Sequence, residues 1–154
     1  MKTGFTIGKF APFHKGHEFL ISTALNEVDE LYVVVYDTPK LGININEKTK
    51  WIKDRFPNVK IIKAFNSPRQ YGLDYESVKI QMEYLIKTIG KIKPDVFFSS
   101  ETYGKEVANW LNIENREVDI ERIHVPIGAS SIRNDIEKYK KFLNEEVYGD
   151  LISK

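Results

Sequence analysis

The chain alternates between short apolar runs typical of strands and longer segments whose apolar residues recur at helical spacing. Five runs predict strands: Phe5–Phe10, Leu31–Tyr36, Val59–Phe65, Asp95–Ser99 and Arg116–Val118. The second of them, LYVVVY, is continuously apolar, as strands buried on both faces tend to be. Strands that alternate with helices favour a parallel sheet covered on both sides. We therefore expect an α/β fold of three layers with a parallel sheet of about five strands.

The segments between the strands predict helices. They are Lys15–Glu27, Glu47–Phe56 with Asn46 as its N-cap, a helix carrying Val78, Met82, Leu85 and Ile89 that stops at Gly90, and a short helix over Tyr103–Leu111. From Ser131 onward a stripe of Ile132, Ile136, Tyr139, Leu143 and Val147 predicts a C-terminal helical tail. In parallel sheets ligands bind outside the carboxyl ends of the strands. The loops after Phe10, Tyr36, Phe65 and Ser99 are therefore expected to form the site.

Composition narrows the classes of function. A length of 154 residues suits one domain, which we expect to span 1–154. The chain has no cysteine, which excludes disulfides, thiolate metal sites and thiol catalysis. Its net charge of +1 argues against a general nucleic-acid binder. No apolar run approaches the ~18 residues of a membrane span, and no signal peptide is evident, so we expect a cytoplasmic protein without membrane attachment.

The stretch Gly8-Lys9-Phe10-Ala11-Pro12-Phe13-His14-Lys15-Gly16-His17 leads from a strand into a helix. A helix N-terminus offers unpaired N–H groups to an anion, and Gly16 would let a phosphate approach the backbone. His14 and His17 are three residues apart and can face one side. Structural histidines remain an alternative. A zinc site is disfavoured, because helical zinc motifs space their histidines four apart around a glutamate. The chain also has no G-x-G and no Gly-Lys followed by Ser or Thr, which excludes the dinucleotide fingerprint and the P-loop.

A second stretch, Pro126-Ile127-Gly128-Ala129-Ser130-Ser131-Ile132-Arg133, places small residues before a helix. Ser130 and Ser131 could cap that helix while their backbone N–H groups bind phosphate, and Arg133 could add a bidentate donor. An ordinary capped helix with an exposed arginine is the alternative interpretation.

Together the two stretches resemble the nucleotidyltransferase superfamily of the H-x-G-H type. The superfamily includes the nicotinamide-mononucleotide (NMN), phosphopantetheine and nicotinate-mononucleotide adenylyltransferases and small cytidylyltransferases. Gly8–His17 looks most like the archaeal type of NMN adenylyltransferase and the adenylyltransferase domain of bifunctional ribosylnicotinamide-kinase proteins. Ser99–Gly104 resembles the T-S-E-x-Y-G segment of that second group, and Asp119–Arg122 followed by Ile127–Arg133 resembles its D-x-x-R…I-S-G-x-x-I-R run. Cytidylyltransferases usually have aspartate where Ala11 stands.

The resemblance implies a Rossmann-like sandwich and the reaction of NMN with ATP to give NAD and pyrophosphate. It implies that His14 and His17 contact the ATP phosphates at the reacting centre and that Lys9 and Arg133 hold the β- and γ-phosphates. Gly8, Phe10, Gly16, Gly128, Ser130 and Ser131 would complete the ATP site, with Mg²⁺ bound through the phosphates. Partners are then ATP and a small phosphorylated acceptor, and a homo-oligomer is allowed. No fused kinase domain is expected, since the chain lacks a P-loop.

The acceptor is less determined. Lys50 matches a position often held by arginine in the family and could bind the acceptor's phosphate, although a solvated lysine is an equal alternative. Nicotinamide-binding members stack a tryptophan on the ring, but Glu76 stands at that position, flanked by Asp74 and Tyr75. Tyr71 or Tyr75 could stack instead. Two alternatives stay open: adenylyl or cytidylyl transfer to another phosphorylated acceptor, and a non-catalytic nucleotide-sensing domain.

Overall fold

Five parallel strands form one sheet in the order β3-β2-β1-β4-β5. A computed structural model describes residues 1–69 and 72–154 of the chain. The strands are β1 (Thr3–Gly8), β2 (Glu30–Tyr36), β3 (Lys60–Ala64), β4 (Val96–Ser99) and β5 (Glu114–Glu117). The helices are α1 (Lys15–Glu27), α2 (Ile45–Arg55), α3 (Tyr75–Ile89), α4 (Gly104–Leu111), α5 (Ala129–Asn134) and α6 (Glu145–Ile152).

Successive residues of a strand point to opposite faces of the sheet, and helices cover both faces. On β2, Val33 and Val35 pack in one core with α1, α2, α5 and α6, while Val34 packs in the other. On β4, Phe98 and Phe97 divide in the same way. The second core is closed by α3 and α4. The predicted three-layer α/β sandwich with five parallel strands is thus confirmed.

The chain order reverses between β1 and β4. The chain runs outward from β1 through β2 to β3, and then crosses to β4 on the other side of β1. Gly4 and Phe5 pair with Val96 and Phe97 at this junction. The carboxyl ends of β1 and β4 therefore flank the crevice where sheets of this kind bind ligands.

Two predicted element boundaries are wrong near the site. The first strand ends at Gly8, and Phe10 lies beyond it with a positive φ of 47°. Helix α2 begins at Ile45, since Asn44 rather than Asn46 is its N-cap and accepts a hydrogen bond from the backbone N–H of Asn46 at 2.7 Å.

The C-terminal tail is not one helix. Helix α5 ends after six residues, because Asp135 accepts a hydrogen bond from the backbone N–H of Lys138 and thereby forms a local turn. A 3₁₀ turn over Lys140–Phe142 follows, and Asn144 then caps α6 through the N–H of Val147. The apolar stripe still packs inward, with Ile132, Leu143 and Val147 in the core, so the stripe identified buried residues but not a continuous helix.

Candidate active site

A cavity of about 470 Å³ opens at the carboxyl ends of β1 and β4. It lies beyond the carboxyl ends of these strands and extends to the helices on both faces of the sheet. One wall comes from the first turn of α1 and from α5, and the opposite wall from α3 and α4. The sequence-predicted residues that line it are Gly8, Lys9, Phe10, His14, Gly16, His17, Ser130 and Arg133. The two stretches singled out in the sequence therefore meet at one place.

His14 and His17 form a reciprocal cap at the start of α1. The Nδ1 atom of His14 accepts a hydrogen bond from the N–H of Gly16 at 3.0 Å, and Nδ1 of His17 accepts one from the N–H of His14 at 3.1 Å. The two rings stack with centroids 3.7 Å apart. A β-carbon on residue 16 would lie 2.7 Å from Cε1 of His14, so this packing requires glycine there.

This cap fixes the protonation of both rings. Since each Nδ1 accepts a backbone hydrogen bond, each neutral ring carries its proton on Nε2. Burial, reinforced by the charge of Arg122, lowers the pKa of His14 to about 4. Burial, then His14 and Arg122, also lowers the pKa of His17 well below its usual value. Both histidines are therefore neutral at pH 7, and each offers an Nε2–H donor.

Among the residues that the structure describes, the cationic side chains that line the same cavity are Lys9, Arg122 and Arg133. Arg133 donates from Nη1 to the carbonyl of Ala11 at 2.6 Å, which ties α5 to the loop after β1. Arg122 donates from Nη1 to the carbonyl of Ile127 at 2.6 Å and from Nη2 to Glu101 at 2.9 Å. This wall combines neutral donors with fixed positive charge, which suits a polyphosphate.

The loop that carries Arg122 is held by a neighbouring carboxylate. Asp119 accepts hydrogen bonds from the backbone N–H groups of Ile123, His124 and Val125 at 2.8 to 3.0 Å. Asp119 and Arg122 both have positive φ, at 50° and 55°. The carboxylate thus shapes the turn that brings the guanidinium to the cavity.

The remaining residues of the second stretch lie beside the cavity. Gly128 is the N-cap of α5 and has no side chain to cap the helix. A β-carbon at this position would lie 3.4 Å from Nη1 of Arg122. Ser130 is exposed at the cavity, whereas Ser131 stands one residue further along α5 and is not part of the lining.

The residues predicted for the acceptor do not gather at the cavity. Lys50 is 66% exposed and pairs with Asp54 and Glu146 on the surface. Asp74 caps α3 through the N–H of Ser77, and Tyr75 and Glu76 are exposed at the start of that helix. Tyr71 lies outside the described residues. The geometry brings none of the four described residues, Lys50, Asp74, Tyr75 or Glu76, to the lining.

Sequence reasoning missed three residues of the site. Lys48 is fully buried beneath it, and its ammonium donates to the carbonyls of Lys9 and Tyr36 and to the hydroxyl of Thr38 at 2.7 to 2.9 Å. Burial lowers the pKa of Lys48 to about 8. Arg122 occurs in the sequence only as the last residue of the D-x-x-R segment, and no sequence pattern points to Glu106. The apolar neighbours of Lys48 on α2, Trp51 and Ile52, were the available signal that its face turns inward.

Residues 1–69 and 72–154 contain no group of three or more His, Asp or Glu side chains placed to hold a metal ion. None of their helices is long and apolar enough to cross a membrane.

Comparison with known proteins places these features in a family. Residues 5–146 match the cytidylyltransferase-like family. The trifunctional NAD biosynthesis/regulator protein NadR of Salmonella typhimurium is 29% identical, over 94% of this chain and 39% of its own length. Phosphopantetheine adenylyltransferase of Fusobacterium nucleatum is 31% identical, over 97% of this chain and 88% of its own length.

A solved structure of a NadR protein in complex with NAD and AMP-PNP superposes with a TM-score of 0.66 and 18% identity. It covers 93% of this chain and 44% of that chain. The chain thus spans about two fifths of the curated NadR length, and the likeness to the solved structure concerns the fold. Since the family match extends over nearly the whole chain, the protein belongs to the cytidylyltransferase-like family of nucleotidyltransferases.

Proposed function

We propose that the protein transfers AMP from ATP to nicotinamide mononucleotide, giving NAD and pyrophosphate. The observation that carries the proposal is the wall where the neutral histidine pair of α1 meets Arg122 and Arg133 at the carboxyl ends of β1 and β4. Two comparisons support the acceptor: the curated NadR relatives are named for NAD biosynthesis, and a NadR protein was solved with NAD and AMP-PNP.

The chemistry needs no protein nucleophile. An oxygen of the acceptor's phosphate attacks the α-phosphorus of ATP, and the bond from that phosphorus to the oxygen bridging to the β-phosphate breaks. Pyrophosphate leaves with the electron pair. A phosphate monoester has its second pKa at ~6, so the attacking oxygen is already ionised at pH 7 and no general base is required. Catalysis then consists of alignment and stabilisation of charge.

The site residues divide this work. The Nε2–H groups of His14 and His17 donate to the oxygens of the α-phosphate, where charge is rearranged. Lys9 and Arg133 hold the β- and γ-phosphates and stabilise the leaving pyrophosphate, and Arg122 adds charge on the same wall. Ser130, which lines the cavity, completes the cradle with the backbone next to Gly128, whereas Ser131 lies outside the lining and is left without a contact. Mg²⁺ would bind through the ATP phosphates and water, because a triphosphate supplies the oxygen ligands that this ion prefers.

The direct test measures pyrophosphate and the nucleotide product. The protein is incubated with Mg²⁺ and either ATP or CTP, together with NMN, nicotinate mononucleotide, phosphopantetheine or no acceptor. Release of pyrophosphate with ATP and NMN, accompanied by NAD, is the expected result. ATP binding without pyrophosphate from any acceptor would instead identify a nucleotide-sensing domain.

A second acceptor class is favoured by the opposite wall of the cavity. Leu73, Val78, Met82, Leu85 and Val107 make that wall largely apolar, and no tryptophan occurs among the described lining residues. An aliphatic arm such as that of phosphopantetheine fits such a surface. The Fusobacterium nucleatum relative carries that name. Pyrophosphate release with phosphopantetheine but not with NMN would establish this alternative.

A further inference from the structure

Phe10 has a backbone conformation that is unfavourable for its side chain. Its φ is 47°, in the left-handed region that glycine adopts freely and bulky residues rarely adopt. Hydrogen bonds fix the turn on both sides of this residue. Lys48 donates to the carbonyl of Lys9 at 2.8 Å, and Arg133 donates to the carbonyl of Ala11 at 2.6 Å. Backbone strain of this kind persists only where the surrounding contacts impose it, and it is concentrated at functional sites.

The side chain of Phe10 is not available to a ligand. Phe10 borders the cavity, but only 1% of its surface is accessible. The family resemblance implies a place for Phe10 in the ATP site, and this burial leaves its ring almost no surface for a direct contact there. Its side chain therefore acts through the residues that it touches.

The ring of Phe10 packs against the ring of His17. The two rings meet edge to face, with centroids 4.7 Å apart and planes inclined by 67°. The ring of His17 also stacks on that of His14 at 3.7 Å and lies parallel to that of Phe13, with centroids 6.0 Å apart. Three rings therefore adjoin the imidazole of His17, whose Nδ1 already accepts the N–H of His14. Its Nε2–H is the polar group left to face the cavity.

Gly8 leaves room for this arrangement. A β-carbon on residue 8 would lie 3.0 Å from both Cε2 and Cζ of Phe10, which is closer than an ordinary contact. The chain thus has glycine where the ring needs space, and phenylalanine at a position where the backbone would favour glycine. The placement of the ring against His17 explains the residue types at both positions.

We propose that Phe10 is a positioning residue whose ring holds the imidazole of His17, so that the Nε2–H of His17 points at the reacting phosphate. The inference rests on the proposed function, which assigns the α-phosphate to that donor, and adds how the donor is oriented. Phe10 itself touches neither the nucleotide nor the acceptor. An imidazole without this support donates in fewer of its orientations, and a small misplacement of a group at the reacting centre lowers the rate by a large factor.

The first measurement follows the two ring nitrogens of His17 by NMR in isotopically labelled protein without nucleotide. In the unaltered protein we expect the widely separated nitrogen shifts of a single Nε2–H tautomer, because Nδ1 accepts a backbone hydrogen bond. In Phe10→Leu the two shifts should move towards each other, because the imidazole turns away from the N–H of His14 and exchanges between tautomers. The spectrum of His17→Ala identifies the signals.

The second measurement is turnover with ATP and NMN. Phe10→Leu should lower kcat at least ~10-fold while the KM for ATP stays unchanged, because the orientation of the donor matters most in the transition state. Phe5→Leu is the matched control, since Phe5 is equally buried and its ring lies 4.7 Å from that of Phe97, outside the lining of the cavity. This control should leave kcat and the shifts of His17 as they are. Phe10→Met, which keeps much of the volume without a rigid ring, replaces Phe10→Leu if that variant does not fold.

The outcomes separate the two proposals. Normal turnover in Phe10→Leu, or nitrogen shifts altered no more than by Phe5→Leu, would overturn the role of Phe10 while leaving the proposed function intact. No pyrophosphate from any acceptor with the unaltered protein would overturn the proposed function itself. The nitrogen shifts are recorded without nucleotide, so in that case they still decide whether Phe10 holds the ring of His17.

Discussion

At the scale of single residues, His17 combines a structural contact in the cap of α1 with the donor role proposed for it in the reaction. Its Nδ1 caps the backbone of His14, and its Nε2–H is left to donate into the cavity. We expect His17→Ala to lower kcat at least ~10²-fold, as for the loss of a donor to the reacting phosphate. His124→Ala is the matched control, since this third histidine is exposed and stacks on Phe19 away from the lining. Near-normal turnover of a folded His17→Ala protein would show that His17 does not donate to the reacting phosphate.

His14 links the site to stability through pH. Its pKa lies at about 4 in the folded protein against 6.5 ordinarily, because burial and Arg122 disfavour the charged ring. Between these values the unfolded chain binds a proton that the folded chain does not, so the free energy of unfolding falls as the pH decreases from 6.5 towards 4. The contribution of His14 amounts to about 3 kcal/mol once the pH is below 4, and His17, whose pKa is lowered as well, adds to the loss. Urea unfolding from pH 7.5 to 4.5 records most of the His14 contribution.

His14→Asn is the comparison for that experiment. Asparagine keeps an N-cap acceptor but does not titrate, so the variant should lose less stability in acid. Parallel pH profiles for the two proteins would show that another group is responsible.

At the scale of elements, α2 holds the ends of two strands through one buried ammonium. Lys48 donates to the carbonyls of Tyr36, at the end of β2, and of Lys9, just beyond β1. Lys48→Met leaves these acceptors without their donor, which should lower the free energy of unfolding by about 1–3 kcal/mol. The displaced Lys9 turn should raise the KM for ATP by ~10-fold, one order of magnitude being about 1.4 kcal/mol of binding.

Lys50→Met supplies the control, two residues further along the same helix. Lys50 is exposed and pairs only with surface carboxylates among the described residues, so we expect neither the free energy of unfolding nor the KM for ATP to change appreciably. Equal effects of the two substitutions would contradict the assigned role of Lys48. An effect of Lys50→Met confined to the acceptor's KM would support its predicted contact with the acceptor's phosphate.

Elements were predictable where the apolar pattern alone decides the structure. The buried strands were placed within one or two residues at most ends, because the runs of valine and phenylalanine that fill both cores have no other stable location. The prediction of one continuous C-terminal helix is wrong because the side chains of Asp135 and Asn144 bind backbone N–H groups and interrupt the helix. The spacing of apolar residues carries no information about these hydrogen bonds. The burial of Lys48 is not predictable from the sequence either. A lysine ammonium is normally solvent-exposed, and it can be buried here only because three oxygen atoms from separate segments accept its hydrogen bonds.

The same distinction, between what a local pattern decides and what distant segments decide, applies to the residues of the candidate site. His14, Gly16 and His17 could be read from sequence, because a strand-to-helix junction fixes their relation within four residues. Arg122 and Glu106 could not be placed, since their positions depend on how a loop after β5 and the first turn of α4 meet a cavity built from distant segments.

At the scale of the whole molecule, the cavity joins the two faces of the sheet, so we expect a nucleotide bound there, as proposed, to stabilise the fold against unfolding. A ligand at 100 times its Kd adds about 2.7 kcal/mol to the free energy of unfolding, which corresponds to a rise in Tm of roughly 5–10 °C for a chain of this size.

Lys9 and Arg133 are assigned to the β- and γ-phosphates, so ATP should raise Tm more than AMP does at equal concentration, in the presence of Mg²⁺. Arg133→Ala should reduce that difference, with Lys9 keeping part of it, and should leave the smaller shift with AMP, because the histidine pair and Arg122 remain in place. Thermal unfolding of both proteins with each nucleotide measures these four shifts. If AMP raises Tm as much as ATP, or if Arg133→Ala weakens both nucleotides equally, the outer phosphates do not lie against α5 and the assignment of that wall is wrong.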